Sequence, residues 1–191
     1  MMACILAQPA PVETQPLQFR EAQTPEPGID EVLVRVHCCA VCRTDLHVVE
    51  GELPTRKSPI IPGHQVSGVI EKAGAKAGRF PIGARIGIAW LHRTDGTCRY
   101  CLRGAENLCD SADFTGYTVN GGYAEYIVAP DKFIYRIPEG FSDEQAAPLL
   151  CAVTIGFRSL RLRQFNGASG WAFTVLVLPR MWPSRWPGTG E

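Results

Sequence analysis

Neither sign of charge is in excess in this 191-residue chain: 19 Lys and Arg balance 19 Asp and Glu. That balance argues against nucleic acid or an acidic membrane surface as the partner, since both recruit basic proteins. No apolar run approaches the roughly 20 residues that cross a bilayer. The longest candidate, near Trp171 to Leu178, is far too short. The opening MMACILAQPAP lacks the positive flank and the cleavage site of a secretory signal. Internal repeats and low-complexity segments are missing as well. One soluble globular domain is expected, with room for at most a fragment of a second, in a cytoplasmic location. In that reducing compartment the eight cysteines read as metal ligands or buried thiols rather than disulfides.

Acidic residues are absent between Glu144 and Glu191, an interval that holds Arg158, Arg161, Arg163, Arg180 and Arg185. Pro179, Pro183 and Pro187 break any helix the apolar run there could start. Residues 164–191 therefore read as an atypical tail and not as the continuation of a fold. A non-native reading frame is one origin for it; a basic, aromatic arm for a partner is the rival. Before it, residues 1–163 read as one domain. From about Val32 to Pro138 the runs VLVRVHC, VSGVIEKA, RIGIAW, YAEYIVA and FIYRI alternate with Gly and Pro breaks. Short strands at that spacing predict a mainly β fold with a few helices, closed into a sandwich or barrel. A helix is expected at Ser142-Asp-Glu-Gln145, which has the form of a capping box. It should carry Cys151 about two turns in, with Pro148 tolerated only near its start or at a kink.

Residues 42–47, CRTDLH, crowd a thiol, a hydroxyl, a carboxylate and an imidazole into one loop. With His64 of PGHQVSG and with Cys151, Cys42 completes a set of two thiolates and one imidazole, which suits a zinc with one coordination position left for substrate. Spacing alone leaves the plainer reading standing, in which the cysteines are small buried hydrophobes and the histidine a satisfied core residue. Thr44 and Asp45 can equally cap a short helix, His47 can be a surface histidine, and Arg43 can be solvated. The run Asp95-x2-Cys98-x2-Cys101-x7-Cys109 is more specific, because a C-x2-C knuckle bites one metal and Cys109 adds a third thiolate.

Taken in order, CRTDLH, PGHQVSG followed by Gly74, the C-x2-C-x7-C lobe, GGYAEY and the Cys151 segment resemble the zinc-containing alcohol dehydrogenases of the medium-chain dehydrogenase family. The resemblance runs to about Leu162 and implies a GroES-like, partly open β-barrel with a catalytic and a structural zinc. It makes Cys42, His64 and Cys151 the catalytic zinc ligands, and Cys98, Cys101 and Cys109 structural ones. Thr44 then corresponds to the hydroxyl on the substrate oxygen, His47 to the outer end of a proton relay, Asp45 to the carboxylate that orients His64, and Arg43 to a cation beside the cofactor pyrophosphate. Zinc lowers the pKa of a hydroxyl bound to it, and the alkoxide then passes hydride to NAD or NADP. A small alcohol or aldehyde is the implied substrate and a homo-oligomer the implied state of full-length relatives, with no nucleic acid or membrane partner.

The chain departs from that pattern in places. Asp95 stands where the structural lobe has its first cysteine, and a carboxylate oxygen is a harder ligand that gives a more labile site. Gln65 replaces the more usual Glu beside His64, and Val153 stands where Gly is common. After Arg163 only Gly167-Ala-Ser-Gly170 echoes a phosphate-binding loop, so the nucleotide-binding Rossmann domain is expected to be absent or vestigial. The competing function is a non-catalytic zinc-binding module or remnant. A zinc-ribbon nucleic-acid binder is disfavoured by the single knuckle and zero net charge, and a zinc-free quinone reductase by the metal triad.

Overall fold

A computed structural model of the protein describes residues 1–162; the expected tail, 164–191, lies with residue 163 outside the described residues. The strands are β1 (Met2–Leu6), β2 (Leu17–Glu21), β3 (Glu31–Ala40), β4 (Gln65–Ala73), β5 (Arg85–Ile88), β6 (Leu91–Arg93), β7 (Asp113–Phe114), β8 (Tyr126–Pro130) and β9 (Ile134–Arg136). Five of them make one antiparallel sheet in the order β8-β3-β4-β5-β9, while β1 pairs with β2 and β6 with β7. The helices are α1 (Arg43–Glu50), α2 (Asp143–Ala146) and α3 (Ala152–Leu162).

The alternation read from the sequence is what closes the core. Val32 and Val34, Val66 and Ile70, Ile86 and Ile88, Ile127 and Ala129, and Ile134 project from the five strands into one buried cluster. Each fully buried Val or Ile contributes about 1.5–3 kcal/mol, so this apolar face, and not the polar loops above it, supplies most of the stability. Register shifts between Leu33 and Val34 and between Val36 and Cys38 mark irregularities in the β3–β4 pairing. An extra residue of this kind sharpens twist and bends a strand, and the sheet curls into the partly open barrel that was expected. Among the described residues there is no parallel nucleotide-binding sheet.

The C-terminal segment differs from the expectation of one continuous helix. Ser142 does cap α2: its Oγ accepts from Gln145 N at 3.3 Å, and Gln145 Oε1 accepts from Ser142 N at 3.0 Å. The helix nevertheless ends at Ala146, tightens into a 3-10 turn over Ala147–Leu150, and restarts as α3. Pro148 has no N–H to donate, and its ring clashes with the carbonyl four residues back. Cys151 therefore sits not on a helix but in the break, with φ −142° and ψ −79°.

Candidate metal centre

Two strand ends and that break deliver the three predicted ligands. Cys42 follows β3 as the N-cap of α1, and His64 immediately precedes β4. Gly63 makes the turn into His64 possible: its φ is +95°, and a Cβ there would lie 2.5 Å from the Tyr123 ring and 2.9 Å from Cys39 Sγ. Only glycine meets both demands. Asp45, at the third position of α1 and 4 % exposed, reaches both ways. Its Oδ2 accepts from Cys42 N at 2.8 Å, and its Oδ1 stands 2.8 Å from His64 Nδ1. The helix-capping and histidine-orienting readings of Asp45 are thus one arrangement.

With Nδ1 engaged, His64 has Nε2 left, buried and without a hydrogen bond, on a side chain with no solvent exposure. A buried imidazole nitrogen without a partner is costly unless something else occupies its lone pair. The ligand atoms of Cys42, His64 and Cys151 all lie within 4.8 Å of one another, and the two sulfurs are 3.9 Å apart. Two thiolates about 2.3 Å from one tetrahedral zinc stand about 3.8 Å apart, so the donor set fits zinc in chemistry and in spacing. The local electrostatics favour the ligating form of Cys42. Its hydrogen-bond contact with the Cys151 sulfur, opposed by burial and helped by His64, brings the Cys42 thiol down to about 3. That contact and burial push Cys151 far up. Burial opposes a proton on His64, but Asp45 and the Cys42 sulfur outweigh it and raise the imidazole to about 9. The protons held this way are the ones that a metal would displace.

Around the triad, Trp90 packs edge-on to His64 at 5.0 Å and stacks on Phe114 at 5.1 Å and Tyr117 at 5.8 Å. Thr44 Oγ1 lies 3.8 Å from Cys42 Sγ. Thr44 and His47, three apart on α1, share a helix face, while Asp45, Val48 and Val49 are buried. His47 Nδ1 contacts Glu52, whose other oxygen lies 3.6 Å from the Arg43 guanidinium, itself largely in solvent. Gln65 is buried with Oε1 unpaired, and Val153 is exposed. Of the other histidines, His37 pairs with Asp143 and His92 is buried.

The second predicted set also converges, with the ligand atoms of Asp95, Cys98, Cys101 and Cys109 within 4.8 Å of one another. Cys98 and Cys101 Sγ are 3.6 Å apart, a separation one tetrahedral zinc can bridge. Asp95 Oδ1 accepts from Thr97 N at 2.8 Å and Cys98 N at 2.9 Å. Those two amides hold its carboxyl well below the usual carboxylate range. The Cys101 amide likewise draws the Cys98 thiol down.

Residues 28–139 match the family described as the alcohol dehydrogenase GroES-like domain. The chain belongs to that family. Among curated relatives, the probable alcohol dehydrogenase AdhA of Mycobacterium tuberculosis is 48% identical over 165 residues, covering 84% of this chain and 48% of that protein. A cobalt- and zinc-bound thermostable alcohol dehydrogenase from Pyrobaculum aerophilum superposes with a TM-score of 0.72 at 32% identity, over 83% of this chain and 48% of its own. A zinc-binding dehydrogenase from Sinorhizobium meliloti bound to NADP does so with a TM-score of 0.68 at 32% identity, over 80% and 43%. The chain thus spans about half the length of the curated relatives it matches. Within this GroES-like domain the sequence reading missed Glu52, the Phe114–Tyr117 backing of Trp90, and Asp143. The signal for Glu52 was weak, since it lies beyond Gly51, outside the helical spacing that links Thr44 and His47.

Proposed function

We propose that this chain carries the zinc-binding, substrate-contacting part of an NAD(P)-dependent alcohol dehydrogenase, with Cys42, His64 and Cys151 as the catalytic zinc ligands. The observation that carries this reading is the buried, unpartnered His64 Nε2 beside two sulfurs 3.9 Å apart. Zinc held there would polarise an alcohol oxygen and ease loss of its proton. Thr44 Oγ1, beside Cys42 on the first turn of α1, is suited to accept that proton while giving its own toward the imidazole of His47, one turn along, and from there to water. Asp45 keeps His64 in the tautomer that leaves Nε2 available. Trp90 supplies an aromatic wall for a small alcohol or aldehyde. Arg43, exposed on the first turn of α1, is available to a cofactor phosphate. Asp95, Cys98, Cys101 and Cys109 form a second, structural zinc site.

Residues 1–163 constitute this unit in our reading, with 164–191 as an atypical tail. All eight cysteines are free, which suits the reducing, cytoplasmic setting of our reading; no described helix is long and apolar enough to cross a membrane. Metal content and hydride transfer test the reading together. The expected content is two zincs per chain, falling to one in Cys42→Ser. Reduction of NAD or NADP by an alcohol supports the enzyme; bound zinc with no hydride transfer favours the second reading, a non-catalytic zinc-binding module, which the lack of a nucleotide-binding sheet among the described residues makes specific.

A further inference from the structure

One carboxylate joins the three strands at the centre of the sheet to the segment that ends in Cys151. Asp143, the first residue of α2, accepts on Oδ1 from Ser67 Oγ at 2.5 Å and from Arg85 Nε at 2.8 Å, while its Oδ2 stands 3.0 Å from His37 Nδ1. His37 lies on β3, Ser67 on β4 and Arg85 on β5. Two of these strands are the ones that deliver the other proposed ligands: β3 runs out into Cys42, and β4 begins directly after His64. A second clamp reinforces the first, because Arg85 Nη2 donates to Phe141 O at 2.5 Å, just before α2. The turn that follows α2 then packs against the same three strands. At Gly87 a Cβ would stand 2.6 Å from Leu150 Cδ2, so the strand leaves space for Leu150 only by having no side chain there.

We infer that Asp143 is a positioning residue for the metal centre: it holds the Ala147–Leu150 turn, and with it Cys151, in register with the strands that carry Cys42 and His64. The inference rests on the proposed role of Cys151 as a ligand. Its physical basis is the weakness of the local alternative. Cys151 sits between two helices with non-helical backbone angles, and no hydrogen-bonded strand or continuous helix fixes its distance from Cys42. What fixes it is the attachment of α2 to the sheet. The Asp143 side chain is only 23% exposed, with the Arg85 guanidinium and the Ser67 hydroxyl both donating to Oδ1 and the His37 ring beside Oδ2; the Arg85 contact is the charge-assisted kind that makes a hydrogen bond strong and directional. Loss of hydrogen bonds to a charged group is commonly worth about tenfold or more in an equilibrium, and the register of Cys151 is where that loss is felt.

The test uses the full zinc-loaded chain and a chromogenic chelator. Zinc release is followed over time in the unaltered chain, in Cys151→Ser and in Asp143→Ala, with Asp143→Asn and Ser67→Ala as milder variants should alanine at 143 unfold the chain. The release phase altered by Cys151→Ser belongs to the triad. Asp143→Ala is expected to speed that phase about tenfold or more while leaving the Asp95 cluster's phase unchanged, and Asn, which keeps one acceptor oxygen, is expected to restore part of the difference. Equal acceleration of both phases would show a general loss of stability and overturn the inference. So would a triad phase within about twofold of the unaltered chain's, well short of the change expected. If Cys151→Ser alters neither phase, the ligand assignment itself fails, a result distinct from failure of the Asp143 role.

Discussion

Replacing Asp45 by Asn tests how the metal site is preorganised, because the change keeps size and shape and removes only charge and one acceptor. In the native chain both carboxylate oxygens work as acceptors, one for Cys42 N at 2.8 Å and one toward His64 Nδ1 at 2.8 Å. An amide offers one acceptor and one NH2 group, so one of these two donors must face another donor. The side chain is 5% exposed, and water cannot make up the loss. A buried group left without its partner costs about 1–3 kcal/mol, and loss of the carboxylate behind a ligating histidine weakens metal binding by about 10–100-fold. Cost and weakening should appear together. Thermal unfolding of the metal-free chain measures the first, and zinc competition against a chelator of known affinity measures the second. If Asp45→Asn binds zinc as tightly as the unaltered chain and unfolds at the same temperature, Asp45 neither orients His64 nor caps α1 to any useful degree, and the reasoning fails.

Two further predictions concern groups away from the triad. Burial pushes His92 down to about 4, so the unfolded chain binds its proton first: stability contributed by the neutral ring is present above the ordinary value near 6.5 and is lost as pH falls from there through about 4, by about 3 kcal/mol in total. Urea unfolding of His92→Leu and of the unaltered chain should therefore diverge with pH across that window, whereas parallel curves would refute the assignment. Asp95→Cys should lengthen zinc retention under chelator challenge, because thiolate is the softer ligand; unchanged retention would count against Asp95 as a ligand.

Much of the site was legible in the chain because its parts are local or carry ligand spacing. CRTDLH reads as a metal ligand beside a helix cap at Thr44 and Asp45, although the helix begins directly after Cys42, and the 98–109 lobe needs only a tight loop to bring its thiols together. The strand pattern was legible for the same reason, since alternation in VLVRV and RIGI is a property of neighbours. What alternation does not carry is the distance between segments. Cys151 was expected on a helix and lies in a break, because the clash at Pro148 ends α2 after Ala146. Asp143 read only as an inner position of the Ser142–Gln145 capping box, yet its partners are residues 37, 67 and 85 on three strands.

Donor chemistry is legible along the chain: which side chains can hold a soft metal, which loop caps a helix, which faces of the strands turn inward. The tertiary structure alone decided that Cys42 and Cys151, far apart along the chain, stand 3.9 Å apart, and that one nitrogen of His64 is taken by Asp45 while the other is buried without a partner. The physical reason is that ligand identity is written in single residues, whereas the separation of ligands is fixed by how five strands pair and by the carboxylate that pins the last segment to them.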